Sequence, residues 1–154
     1  MLFSSSSVRG VSWLVTGLVI ALVCVGAVAA TDTRAIDANA AYDKNNVFAR
    51  ILRKELPAKI VYEDDYALAF HTIAPQAKVH ILVIPKGPYT NILRFTEQAS
   101  AAEQLGLLKA INLVAAKMGV KDSGFRLLAN TGPDSGQSVP HLHFHILGGE
   151  KIAS

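Results

Sequence analysis

The sequence predicts an α+β domain, a five-stranded antiparallel sheet with two helices, preceded by an N-terminal hydrophobic segment. Three observations carry this. The stretch Pro140-His141-Leu142-His143-Phe144-His145-Ile146-Leu147-Gly148-Gly149 alternates with the period of two that marks a β-strand. Leu107, Leu108, Ile111, Val114, Ala115 and Met118 recur at helical spacing behind Ser100, which forms a capping box with Glu103. The 22 residues between Arg9 and Asp32 carry no charge at all.

That uncharged run comes first in the chain. It is long enough to cross a bilayer core, which takes about 20 residues. It ends in Ala27-Val28-Ala29, small residues of the kind signal peptidase cuts. Residues 1–31 therefore read as a signal peptide or a membrane anchor, with membrane association through residues 11–30. Arg9 before the run, with Asp32 and Asp37 after it, favours a translocated domain. The expected localisation is the secretory pathway or a membrane; Ser4 to Ser7 and Arg9 make a mitochondrial presequence the alternative. Cys24, the only cysteine, lies inside the run, so the remainder holds no disulfide framework and no cysteine-bearing zinc site.

Residues 32–42 are polar and alanine-rich and read as a linker; residues 43–154 form the domain. Asn45 or Asn46 caps a first helix through Val47, Phe48, Ile51 and Leu52, which Pro57 ends. Lys59 to Tyr62 and Tyr66 to His71 make a hairpin around Glu63-Asp64-Asp65. Val79 to Ile84 is a third strand, closed by Pro85 and Gly87. The long helix behind Ser100 stops at Gly119, and its apolar stripe is a core face, not a cofactor box. Phe125 to Ala129 is the fourth strand and the histidine stretch the fifth. A net charge of +3, scattered with no basic run, does not suggest nucleic-acid binding.

The chemistry concentrates in the fifth strand. Alternation puts His141, His143 and His145 on one face and Leu142, Phe144 and Ile146 on the other. Three aligned imidazoles bring desolvation cost with no packing gain, so a purely structural role is a poor account of them. His71 and His80, single histidines at a strand end and inside an apolar strand, need no function on their own. The preceding loop, Asn130-Thr131-Gly132-Pro133-Asp134-Ser135-Gly136-Gln137-Ser138-Val139, is rich in turn residues. Its backbone N–H groups can form an anion nest, with Asn130, Gln137 and Ser138 as neutral donors. A phosphate held there would lie against the imidazoles.

A metal site is the rival reading. Two histidines at i and i+2 can share a zinc ion, but the outer pair of a straight strand lies about 13 Å apart, too far to converge on one ion. Nucleophilic catalysis fits better: a neutral imidazole attacks phosphorus, and a second one serves the leaving group.

The sequence Gly136-Gln137-Ser138-Val139-Pro140-His141-Leu142-His143-Phe144-His145 resembles the signature of the histidine triad (HIT) family. Phe48-Ala49-Arg50-Ile51-Leu52-Arg53-Lys54-Glu55, Ala69-Phe70-His71, Pro75-Gln76-Ala77 and His80-Ile81-Leu82-Val83-Ile84-Pro85-Lys86 extend the resemblance to the Hint-like branch, the nucleoside phosphoramidate hydrolases. The resemblance implies a HIT-like fold, a homodimer, a purine nucleotide substrate such as an adenosine phosphoramidate, and no metal or other cofactor. It implies that His143 is nucleotidylated, that His145 contacts phosphate and leaving group, and that His141 with His80 orders the site. Ser138 then joins the catalytic group. Asn130, Gly136 and Gln137 contact phosphate or leaving group beside it, and Phe48, Ile51, Phe70 and Ile73 wall the base and ribose, with His71 and Thr72 in the same binding set. Two features depart from the pattern. Thr72 stands where such proteins usually carry the aspartate that accepts both ribose hydroxyls, and Glu150 to Ser154 lacks the longer tail of animal members. The alternatives are a dinucleoside polyphosphate hydrolase and a non-catalytic nucleotide-binding or scaffold protein.

Overall fold

A computed structural model of the chain describes residues 36–153. The N-terminal run, read as signal peptide or anchor, lies outside the described residues. Among those described, no helix is long and apolar enough to cross a membrane.

Helix α1 (Val47–Leu52) starts where Asn46 offers its side-chain oxygen to the backbone N–H groups of Phe48 and Ala49, donors that a helix start leaves without partners. Strands β1 (Ile60–Glu63) and β2 (Ala67–His71) form the expected hairpin. Asp64 closes its turn by accepting from the backbone of Tyr66 and Ala67. Strand β3 (Val79–Pro85) pairs with β2, and β5 (Phe144–Gly148) lies between β3 and the edge strand β4 (Phe125–Leu128). All four pairings are antiparallel, in the order β1-β2-β3-β5-β4.

Between β3 and β4 the chain makes two helices, not one. Helix α2 (Ile92–Gln98) is capped by Asn91 and precedes α3 (Ala101–Lys117), whose start carries the expected capping box of Ser100 and Glu103. The domain thus has three helices. Ala99 and Ser100 take extended backbone angles between α2 and α3, which breaks what a periodicity reading passes over.

Helix α3 covers one face of the sheet. Its Leu107, Ala110, Ile111, Val114 and Ala115 pack with Ala67, Ala69, Ile81, Val83, Leu142 and Ile146. Gly106 permits the close approach: a Cβ there would fall 2.4 Å from the ring of Tyr66. Leu108, expected in this core stripe, is instead 59% exposed on the outer face of the helix. The other face of the sheet is shorter of cover. Phe48 of α1 packs on Leu68, Phe70, Leu82 and Ile84, and the rest of that face remains open as a cleft.

The expected fifth strand begins later than its sequence pattern. Continuing the β3–β5 register from the Val83–Phe144 pair sets Leu142 opposite Pro85, which has no N–H to give. The ladder stops there, and the N–H of Leu142 donates instead to the carbonyl of Tyr89 at 2.7 Å. Alternation nevertheless persists through the irregular residues. Leu142 is buried under α3, while His141 lies on the α1 side beside Phe48.

Candidate active site

The open face holds a cleft of about 720 Å³ at the C-terminal end of β2 and before the start of β5. Phe48, Ile51, Phe70, His71, Thr72 and Ile73 line it, as do Ser138, His143 and His145. These nine come from four separate stretches of sequence, brought together because β2, β3 and β5 are neighbours and α1 lies across them. Ile73 is fully exposed, so it borders the mouth and not the floor.

Not every expected residue lines the cleft. His80 and His141 stand behind it, and Asn130, Gly136 and Gln137 do not line it either. Gln137 is buried in its own loop. Its side chain donates to the carbonyls of Thr90 and Val139 and accepts from the N–H of Gly132. The N–H groups of Gly136 and Gln137 are likewise bonded within the loop, to Pro133 and Gly132. Gly132 and Gly136 take positive φ, 77° and 71°, which closes this turn on itself. The nest expected of these consecutive N–H groups is thus already satisfied internally at two positions, and Ser138 is the polar residue of the loop that reaches the cleft.

Hydrogen bonds assign a distinct state to each imidazole. Burial pushes the pKa of all four site histidines down, His141 and His145 to about 4, so each is neutral near pH 7. A neutral imidazole carries one N–H and one lone pair. His143 Nδ1 lies 2.8 Å from the carbonyl oxygen of His141, which can only accept, so the proton is on Nδ1 and the lone pair on Nε2. His80 Nδ1 accepts from the N–H of Gln76 at 3.0 Å, which leaves the proton on its Nε2. That Nε2–H donates to His145 Nδ1 at 2.8 Å. His145 must then carry its own proton on Nε2, an atom with no protein partner.

Two unlike groups therefore stand side by side, a lone pair on His143 and an N–H on His145, with ring centroids 5.1 Å apart. Phe48 braces the first, its ring edge-on at 5.2 Å. Among the described residues no carboxylate lines the cleft and Lys59 does, so an anion meets no like charge there. Among the described residues no group of three or more His, Cys, Asp or Glu is arranged to hold a metal ion. Both ring nitrogens of His141 are bonded to protein.

The sequence reading passed over several contributors. Leu82 lines the cleft and lies two residues from His80 in β3, so the period of two already put it on the histidine face. Leu56, Pro57, Ala58 and Lys59 were read only as the end of a helix and the start of a strand, yet they form the far wall. Tyr42 bonds to His141 across 99 residues of sequence, a contact with no local signal.

A family model described as "HIT domain" matches residues 53–152. A HIT-like protein of Azospirillum brasilense is 52% identical over 111 residues, 72% of this chain and 91% of its own. The purine nucleoside phosphoramidase of Escherichia coli is 42% identical over 113 residues, 71% of this chain and 91% of its own. Among solved structures, a HIT family hydrolase from Clostridium thermocellum superposes with a TM-score of 0.67 at 39% identity, covering 73% of this chain and 96% of its own.

These findings correct the expected localisation. Assignment to the secretory pathway or a membrane, or to mitochondria, rested entirely on the N-terminal run. The bacterial relatives are matched over nine-tenths of their own length by about 110 residues of this chain, and no described helix could span a membrane.

Proposed function

The chain belongs to the HIT domain family, and on that premise we propose that it hydrolyses nucleoside 5′-phosphoramidates, with adenosine phosphoramidate as the model substrate. One observation carries the reading: His143 offers a lone pair at Nε2 where His145 offers an N–H, at the floor of an apolar cleft. The 42% identity to a purine nucleoside phosphoramidase supports the substrate class.

In this reading the base and ribose lie between Phe48, Ile51, Phe70 and Ile73, with His71 and Thr72 beside them. That wall presents chiefly apolar surface, as a flat nucleobase requires. His143 Nε2 attacks the phosphorus; the N–P bond to histidine forms as the P–N bond of the substrate breaks, and the nitrogen leaves as an amine. As the P–N bond breaks, the proton on Nε2 of His145 passes to the departing nitrogen, and His145 takes a proton back from the water of the second step. Water then displaces His143 and releases the nucleoside monophosphate. His80 holds the tautomer of His145, and His141 holds that of His143 through its carbonyl. Ser138 lies at the phosphate end of the cleft, with Asn130, Gly136 and Gln137 as the loop that supports it. The same reading makes the protein a homodimer, because α3 turns Leu105, Leu108 and Leu113 outward.

The test is to stop a reaction with an adenosine 5′-phosphoramidate and map the adduct by mass spectrometry. An adenosine monophosphate adduct on His143 is expected, and His143→Ala should bind nucleotide but lose turnover by several orders of magnitude. Full activity in that variant would sink the mechanism. Faster turnover of dinucleoside polyphosphates would move the substrate class, and nucleotide bound without turnover by the wild type would make the protein a nucleotide-binding module.

A further inference from the structure

Residues 36–46 lie outside the stretch matched by the family model, residues 53–152. The part read as linker, residues 32–42, is from Ile36 onward bonded to the domain. Asn91 Nδ2 donates to the carbonyl of Ala38 at 2.7 Å, Thr90 Oγ1 to that of Ala40 at 3.4 Å, and Ile36 N to that of Gln137 at 3.5 Å. Asn46, the cap of α1, reaches the carbonyl of Pro140 at 3.5 Å with the amide that also holds Asp43. The segment is thus a strap laid over the residues that lead into His141, and Tyr42 is where it enters the site.

We propose that Tyr42 is a positioning residue for the nucleophile, acting through His141. Its hydroxyl lies 2.6 Å from His141 Nδ1. The other ring nitrogen, Nε2, lies 2.9 Å from the carbonyl oxygen of Pro85, which accepts only, so Nε2 carries the proton. Nδ1 is then a lone pair, and Tyr42 is the donor. His141 is fully buried, so its Nδ1 depends on that donor for a partner. Burial also raises the pKa of the Tyr42 phenol, keeping the proton in place.

The consequence passes along the backbone. The carbonyl that fixes the proton of His143 on Nδ1 belongs to His141 itself. With Tyr42 in place, the His141 ring is held at both nitrogens and its peptide cannot turn without breaking a buried bond. Without the hydroxyl, Nδ1 becomes a buried acceptor with no partner, and the ring gains by flipping or exchanging tautomer. The carbonyl of His141 is then free to tilt away. His143 loses the bond that keeps its lone pair on Nε2, the atom that faces the substrate. The ring of Tyr42 also packs edge-on against that of His141, with centroids 5.5 Å apart, so Tyr42→Phe removes the hydroxyl and keeps the packing.

This inference rests on the reading of His143 as nucleophile, and the experiment separates the two. The full chain, with ¹⁵N-labelled histidine, is examined without substrate by long-range ¹H–¹⁵N correlation, which reports the tautomer of each ring. Wild type should show His141 as Nε2–H and His143 as Nδ1–H. In Tyr42→Phe the His143 signal should shift toward a mixture of tautomers, and kcat should fall roughly tenfold with KM within about twofold, the loss of one buried hydrogen bond at the transition state. Unchanged tautomers in Tyr42→Phe would overturn the proposal, whether or not melting temperature drops, since a lower melting temperature alone is a structural effect. Should the wild type hydrolyse no phosphoramidate, the functional reading fails, while the spectra still decide the role of Tyr42.

Discussion

In the proposed function, Thr72 is the side chain on which recognition of the ribose turns. It lines the cleft beside Ile73, and its hydroxyl already accepts the N–H of Ala74 at 3.2 Å. An aspartate, which the Hint-like pattern favours here, accepts hydrogen bonds from two adjacent ribose hydroxyls with a full charge. Threonine offers one small oxygen, part of whose capacity is used at home. Thr72→Asp should therefore strengthen binding of adenosine monophosphate by about 1.5–3 kcal/mol, the range for bonds to a charged group. Affinity for the 2′-deoxy nucleotide should change far less, because half of the new partnership is missing. Calorimetric titration of both nucleotides checks this, and an unchanged ribose-to-deoxyribose ratio would mean that residue 72 does not face the sugar. At this scale the histidines themselves were legible, since three imidazoles at alternate positions have no packing motive. Their protonation was not. It depends on the carbonyl of His141, the N–H of Gln76 and the ring of His80, and two of these three partners are backbone atoms that carry no residue-type signature.

Among the elements, α3 is the one whose two faces serve different ends. Its inner face is core, anchored by Leu107, Ile111 and Val114, while Leu105, Leu108 and Leu113 are about half exposed. Apolar residues all round a helix blur its periodicity, and this is why Leu108 was placed inside from spacing alone. Half-exposed leucines on the outward side of a helix suit contact with a second copy. Leu108→Glu should leave the fold intact, because the site is 59% exposed in the single chain, and should turn the proposed dimer into a monomer. Light scattering after gel filtration measures the mass directly; an unaltered dimer would move the interface elsewhere. The hairpin, the capping box and the order of the strands along the chain could be read locally. Helix α2 escaped because it is seven residues long, buries only Phe95, and is announced by little more than the cap at Asn91.

For the molecule as a whole, the buried imidazoles couple stability to pH. His141 and His145 are pushed by burial from the ordinary 6.5 down to about 4, and His80 and His143 shift the same way. The unfolded chain regains ordinary histidines and so binds protons that the folded chain refuses. Stability is therefore complete above pH 6.5 and falls as pH drops toward about 4. The carboxylates held low by partners, Asp64 and Glu103 among them, lose their contribution only further down, because they start from 3.8 and 4.5. Urea midpoints measured at pH 7.5, 6 and 5 should decline steadily. A flat series would mean that the folded protein already carries charged imidazoles.

What could be read from residue order was whatever repeats along the chain: an alternating strand, an amphipathic helix, a cap, a turn, and the residues that resemble a known family. Those signals are short-range, because side-chain direction follows from backbone geometry within a few residues. Alternation and helical spacing identified the sheet, while the family resemblance supplied nine of the residues that line the cleft. The start of β5 needed the register against β3, because what ends the ladder is Pro85, more than fifty residues earlier. The inward turn of Gln137 needed the carbonyl of Thr90. The reach of Tyr42 to His141, across 99 positions, needed the strap to be folded back over the domain. Each of these is a pairing between groups that only packing makes neighbours, and a buried polar atom takes whichever partner the fold brings within reach.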